Sequence, residues 1–255
     1  MPSETSDWTP DAAPKKPSAT NWTEVVQGIA AAQCARLGVA PEHLPAVEKA
    51  RAKEQWRERF ELARIEVLER YGGEIRADAH DAFRRGKLKR TQAINATIEF
   101  LRTMRQHGRQ VLVLSGDTGL GKTLAALYGL AWYSAAHPTF SFGEHVHATD
   151  LAARVKPWTK HEQARALELR RPFVILDDLG IEDHENPRFG EAIDAFFNAR
   201  QGVVQGTRQV TIVTTNKPFD ELVGRYGKRV ASRLTGLTRA VDLVGEDLRA
   251  SGGGR

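Results

Sequence analysis

Apolar residues recur in this chain with two different periods, and the change from one to the other divides it. Residues 1–20 hold four prolines and several Ser and Thr with no apolar period, the pattern of a disordered tail. Residues 22–37 read as a short helix that Gly38 ends, and Pro41 and Pro45 mark the next start. Across residues 42–71, Trp56, Phe60, Ala63 and Val67 fall at i, i+4, i+7 and i+11. This is one apolar stripe on a highly charged helix, which Gly72 and Gly73 stop. The stripe must be buried, either on the chain's own domain or on a partner protein. A further helix over residues 91–108 carries Ile94, Ile98 and Leu101 on one face.

Beyond residue 110 short apolar runs alternate with helical periods. Residues 111–115 and 173–176 read as buried strands, 140–146 and 210–213 as strands, and 149–155 and 161–169 as helices. Phe189, Ile193, Phe196 and Phe197 repeat at i, i+4, i+7 and i+8 behind Pro187, a helix-start residue. Apolar strands alternating with helices predict an α/β fold whose parallel sheet is covered on both faces.

Composition narrows the class. With 255 residues, 41% of them apolar, the chain can form one large α/β domain and a smaller element. Cys34 is the sole cysteine, so a disulfide within the chain and a cysteine-rich zinc module are excluded, which suits a reducing cytoplasm. The polar, acidic start is unlike a secretory signal, and the apolar run over residues 124–136 is too short to span a bilayer. A net charge of +5 is compatible with nucleic acid without pointing to it. Five of the seven residues at 84–90 are basic, the mark of a solvated face or of a phosphate contact.

The chemistry centres on Gly116-Asp117-Thr118-Gly119-Leu120-Gly121-Lys122-Thr123, which follows an apolar strand and opens an Ala- and Leu-rich helix. This is a P-loop in its expected context. The glycines let backbone N–H groups converge on a phosphate, and the helix N-terminus adds partial positive charge. Lys122 can reach the β- and γ-phosphates of ATP, and Thr123 can place a hydroxyl on Mg²⁺. Asp177 and Asp178 end a second apolar strand, 55 residues after Lys122. Asp177 suits the Mg²⁺ ion, and Asp178 suits either the attacking water or a loop cap. Asn216 ends a third strand, where its amide can bond a γ-phosphate and a water or simply make a turn. Arg225, Arg229 and Arg233 recur every fourth residue and are expected on one helical face, as a basic surface stripe or as a cation offered to a neighbouring subunit's nucleotide. His145 and His147 face one side of a strand, as a metal pair would, with no third ligand evident in the sequence.

The ordered set of this P-loop, Val174-Ile-Leu-Asp-Asp-Leu-Gly180, Thr214-Thr-Asn216 and Val230-Ala-Ser-Arg-Leu234 resembles the AAA+ ATPases, and within them the DnaC/IstB group. The resemblance covers about residues 75–245. It implies a P-loop NTPase fold of AAA+ type with a helical N-terminal extension and no C-terminal lid domain, only 22 residues following Arg233. It implies a division into a tail at 1–20, a partner-binding helical region at 21–75, an ATPase core at 76–245 and a flexible tail at 246–255. It assigns Asn216 to sensor 1 and Arg233 to a finger acting on a neighbouring subunit, with Arg229 one turn away as the second choice. The implied activity is a slow, assembly-dependent ATPase with ATP and Mg²⁺ that binds DNA, single-stranded first, and delivers a replicative helicase. An IstB-like transposition helper serving a transposase is the alternative. A small-molecule P-loop kinase is a third reading, but it requires a lid and an acceptor pocket. Many AAA+ proteins have Glu where this chain has Asp178, one methylene shorter.

Overall fold

The computed structural model describes residues 44–107, 110–137, 143–154, 171–181, 187–200, 203–204 and 207–248. The helices expected over residues 22–37 and 161–169 lie outside these, as does Cys34. The chain divides into two units, residues 1–54 and 55–255. Of the first, only residues 44–54 are described, all helical.

The second unit is built on three strands with no exposed position: β1 (Val111–Ser115), β3 (Phe173–Asp177) and β6 (Val210–Thr215). Their β-branched and aliphatic runs suit a pleated surface buried on both sides. β2 (Glu144–His147) and β7 (Thr238–Asp242) form the edges of a five-stranded sheet of order β2-β3-β6-β1-β7. Every pairing in it is parallel. A separate two-residue antiparallel pair joins β4 (Val203–Val204) to β5 (Thr207–Arg208).

Alternate strand residues point to opposite faces, and the two faces carry separate cores. Leu112, Leu114, Phe173, Ile175 and Ile212 pack with α1 (Leu44–Tyr71), α2 (Ala77–Arg84), α3 (Gln92–His107) and α4 (Lys122–Ala136). Val111, Val113, Val174, Leu176 and Val213 pack with α5 (Ala148–Arg154), α6 (Pro187–Ala199), α7 (Phe219–Arg225) and α8 (Gly227–Leu237). The expected α/β fold with helices on both faces of a parallel sheet is the one observed.

The apolar stripe of α1 is buried on the chain's own core. Trp56 stacks on Phe60 with ring centroids 5.0 Å apart and meets Trp132 of α4 edge-on at 6.3 Å. Phe60 meets Tyr128 of α4 at 5.2 Å, and Ala63, Val67 and Leu68 are buried behind them. Arg64, also buried, donates from Nη1 to the Phe83 carbonyl at 2.7 Å, so a cation caps the C-terminal end of α2 where the helix dipole favours it. Gly86 takes a left-handed φ of 69° there, and a Cβ on it would lie 2.5 Å from that same Nη1.

Helix α1 is stopped by Gly72 and Gly73 as expected, through a 3₁₀ turn over Gly72–Glu74. The strand expected over 140–146 is described from Glu144 onward. The basic run at 84–90 begins at the last residue of α2 and continues into the loop before α3, with all five basic residues exposed, although Arg85 pairs with Asp81 at 2.9 Å. One expectation is corrected. Arg225, Arg229 and Arg233 do not share a helix, because α7 ends at Arg225 and α8 begins at Gly227.

This packing makes the buried stripe of α1 a structural part of the α/β core. Leu68→Ala is expected to lower stability by on the order of 2–5 kcal/mol, read from urea unfolding of the full chain. Deleting residues 1–75 strips the cover from Tyr128 and Trp132, and the shortened chain is expected to lose its cooperative melt. A wild-type melting temperature in the deletion would contradict this docking.

Candidate functional site

The site lies at the carboxyl ends of β1, β6 and β3, where open parallel sheets hold their ligands. The P-loop leaves β1 at Gly116 and enters α4 at Lys122. Gly121, at the N-cap, has φ 74°, and Gly119 has φ 89°, conformations that glycine adopts without a Cβ clash. Asp117 and Thr118 are exposed, whereas Leu120 buries its side chain in the core and can offer only backbone groups.

Register brings the scattered motif residues together. β1 and β6 pair Ser115 with Thr215, so Gly116 and Asn216 leave adjacent strand ends side by side. Lys122, 6% exposed, donates from Nζ to the carbonyls of Gly116 (2.7 Å) and Asp117 (2.8 Å) and to Asn216 Oδ1 (2.7 Å). β6 and β3 pair Val213 with Leu176, which sets Thr214 beside Asp177. Asp177 Oδ1 accepts from Thr214 Oγ1 and from Thr123 Oγ1, the latter at 3.1 Å. Asp177 Oδ2 accepts from His145 Nε2 at 3.0 Å. Burial pushes the Asp177 carboxyl up, but the bonds from His145 and Thr214, the His145 charge and the Thr123 bond outweigh it. The net shift is downward, so the buried carboxylate is ionised at neutral pH.

Asp178 has a left-handed backbone, φ 55°, a conformation Asp tolerates better than most side chains. Its N–H donates to Thr214 Oγ1 at 2.9 Å, and the Leu179 N–H donates to the Thr214 carbonyl at 2.8 Å. Thr214 is therefore a hub that holds both acidic residues. Sequence reasoning gave it no role of its own, since its donor and acceptor contacts come from the β3–β6 register. Arg233 and Arg229 stand on α8, and their side chains lie outside the described residues.

A second feature absent from the sequence reading is the segment after β7. Leu243 N–H donates to the Ser115 carbonyl at 2.8 Å and Leu248 N–H to the Gly119 carbonyl at 3.1 Å. The segment thus crosses the P-loop, and Asp247 comes so close that a Cβ on Gly119 would lie 1.8 Å from its Oδ1. Residues 246–248, within the stretch expected as a flexible tail, are part of this crossing.

Taken together, a loop of left-handed glycines, a buried ammonium and a hydroxyl–carboxylate pair stand at the end of a strand order that places β6 between the P-loop strand and the Asp177 strand. The fold is that of an α/β P-loop NTPase. No protein-family model matches the chain, and no curated protein matches it. Among solved structures, the DnaC helicase loader is similar at 22% identity and TM-score 0.48, over 61% of this chain and 92% of that one. DnaI is similar at 20% identity and TM-score 0.45, over 61% and 84%. AMPPCP-bound DnaA from Aquifex aeolicus is similar at 17% identity and TM-score 0.46, over 64% and 51%. At such identities and TM-scores the fold stands on its own strand order and register.

The hub gives a test of the geometry. Thr214→Val removes the hydroxyl that accepts from the part-buried Asp178 N–H and donates to the buried Asp177 carboxylate. It is expected to cost on the order of 1–3 kcal/mol in urea unfolding. Thr214→Ser keeps the hydroxyl and should stay close to wild type. Equal losses in both variants would mean that the hydroxyl does not hold the two acids.

Proposed function

We propose that this chain is an AAA+ ATPase of the DnaC/IstB type, an ATP-dependent DNA replication protein that binds DNA and delivers a replicative helicase. The observation that carries the nucleotide reading is the meeting of two motifs 54 residues apart, Thr123 Oγ1 on Asp177 Oδ1, beside the buried Lys122 ammonium. Hard oxygen donors of this kind suit Mg²⁺, and the ammonium suits phosphate. Bound ATP and Mg²⁺ would supply a phosphoryl group and a divalent charge to activate it.

In this reading the backbone of residues 116–123 cradles the phosphates. Lys122 exchanges its protein acceptors for phosphate oxygen, and Asn216, released from Lys122, is positioned to sense that exchange. Thr123 and Asp177 hold the Mg²⁺ ion, and Asp178 orients the attacking water. Arg233 acts on the nucleotide of a neighbouring subunit, with Arg229 the second choice, which makes self-association a condition of turnover. The helical region at 21–75 carries the helicase contact. Leu62 and Ile65, exposed on α1 away from the buried stripe, suit that role. The exposed cations at 84–90 suit DNA phosphate.

Two substitutions separate binding from turnover. Lys122→Ala is expected to weaken binding of a fluorescent ATP analogue roughly 10- to 100-fold, the loss of one charge-assisted contact. Asp178→Asn should keep that affinity and slow hydrolysis, and Asn is the suitable replacement because it tolerates the left-handed backbone. Unchanged affinity in the first, or wild-type turnover in the second, would remove the corresponding role.

The role of Arg233 is tested by mixing. Arg233→Ala and Lys122→Ala subunits are each expected to be inactive alone. A mixed assembly places an intact P-loop beside an intact Arg233, so partial recovery of ATPase activity is expected. No recovery, with mixed assembly confirmed by a pull-down between differently tagged subunits, would assign Arg233 a role within its own subunit.

A further inference from the structure

The edge strand β2 brings two histidines to the acidic strand. His145 and His147 are two residues apart, so both side chains leave the same face. The β2–β3 register pairs His147 with Asp177, which supplies the third ligand that the sequence does not reveal. One ligand atom from each of His145, His147 and Asp177 lies within 4.8 Å of the others. His145 Nε2 stands 3.0 Å from Asp177 Oδ2, and the two imidazole rings meet edge to face at 5.1 Å. The Tyr71 ring meets His145 edge-on at 5.8 Å, and the Tyr71 hydroxyl donates to the Gly143 carbonyl at 2.8 Å, fixing the start of the strand. The His145 and Asp177 side chains are 8% and 1% exposed.

The two oxygens of Asp177 face different neighbours. Oδ1 receives the hydroxyls of Thr123 and Thr214, on the P-loop side, and Oδ2 receives His145. We propose that His145, His147 and Asp177 Oδ2 form a second cation site, for a borderline transition ion such as Zn²⁺, beside the Mg²⁺ position on Oδ1 and separate from it. Two imidazoles and a carboxylate are a donor set that suits Zn²⁺, whereas Mg²⁺ takes oxygen ligands. In a tetrahedral zinc site with bonds of about 2.0–2.1 Å, ligand atoms lie roughly 3.3–3.4 Å apart. The His145–Asp177 pair is already near that spacing, and a small turn of His147 closes the third side. The ion would take the place of the His145–Asp177 hydrogen bond, with its fourth position left for water. One carboxylate then bridges two cation positions.

The test uses the full chain, stripped with chelator, without nucleotide or Mg²⁺. Zn²⁺ is titrated by calorimetry, and Co²⁺ is followed by its tetrahedral absorption bands. One equivalent of each ion is expected to bind, and His147→Ala should weaken binding by at least roughly tenfold. His147→Gln serves as a second variant if the first does not fold, checked by far-UV circular dichroism. Absence of stoichiometric binding, or binding unchanged in a folded His147 variant, would overturn the site and leave His145 as a hydrogen-bonded positioning residue for Asp177. The probe is the metal alone. A chain that takes Zn²⁺ but no ATP would overturn only the nucleotide reading, and a chain that takes ATP but no Zn²⁺ only this one.

Discussion

Strand β6 separates the strand that feeds the P-loop from the strand that ends in Asp177. No backbone bond joins β1 to β3, so every contact between the loop and the acidic pair depends on the register of the strand between them. A slip of one residue would turn Ile212 and Val213 to the wrong faces and carry Thr214 and Asn216 away from Asp177 and Lys122. The burial of all six β6 residues is what prevents the slip. The site's geometry is thus enforced by apolar packing several residues below it.

The same logic extends outward. Arg200, fully buried, donates to Thr211 Oγ1 at 2.6 Å and to the Arg171 carbonyl at 3.0 Å, binding the end of α6 to the starts of β3 and β6. Desolvation pushes its pKa down to about 9, which leaves it charged at neutral pH. Arg64 plays a comparable part where α1 meets α2. In both places a long cation satisfies backbone carbonyls at an element's end, which lets helices end inside the packed structure rather than in solvent.

Much of this was legible in the chain itself, and for identifiable reasons. β1 and β3 are apolar runs, β6 is β-branched throughout, α1, α3 and α6 keep a helical period and α4 is a long apolar run, so their existence follows from burial and propensity. The P-loop was legible because its chemistry requires a fixed spacing. β7 escaped notice because an edge strand with half-exposed positions, Thr238-Arg-Ala-Val-Asp242, has no apolar run to mark it. Helix α2 has only eight residues and one fully buried side chain, Phe83. The break at Tyr226 hid inside an arginine spacing that continues across it. The Thr214 hub and the His145–Asp177 bond follow from strand pairing, which no single segment encodes. The stripe on α1 was plain, but its destination was not, since Tyr128 and Trp132 lie far along the chain.

The crossing of the P-loop by residues 243–248 has a consequence for how this sequence can change over time. Gly119 is restricted twice, by its backbone conformation at φ 89° and by the Asp247 carboxylate against its Cα. The two restrictions have different remedies. A smaller residue at 247 opens the space but leaves the backbone conformation unfavourable for any side chain. Divergence at position 119 therefore needs change in the loop's path as well as in the segment above it. The C-terminal stretch therefore sets the space above the phosphate loop, although 128 positions separate Gly119 from Asp247 in the chain.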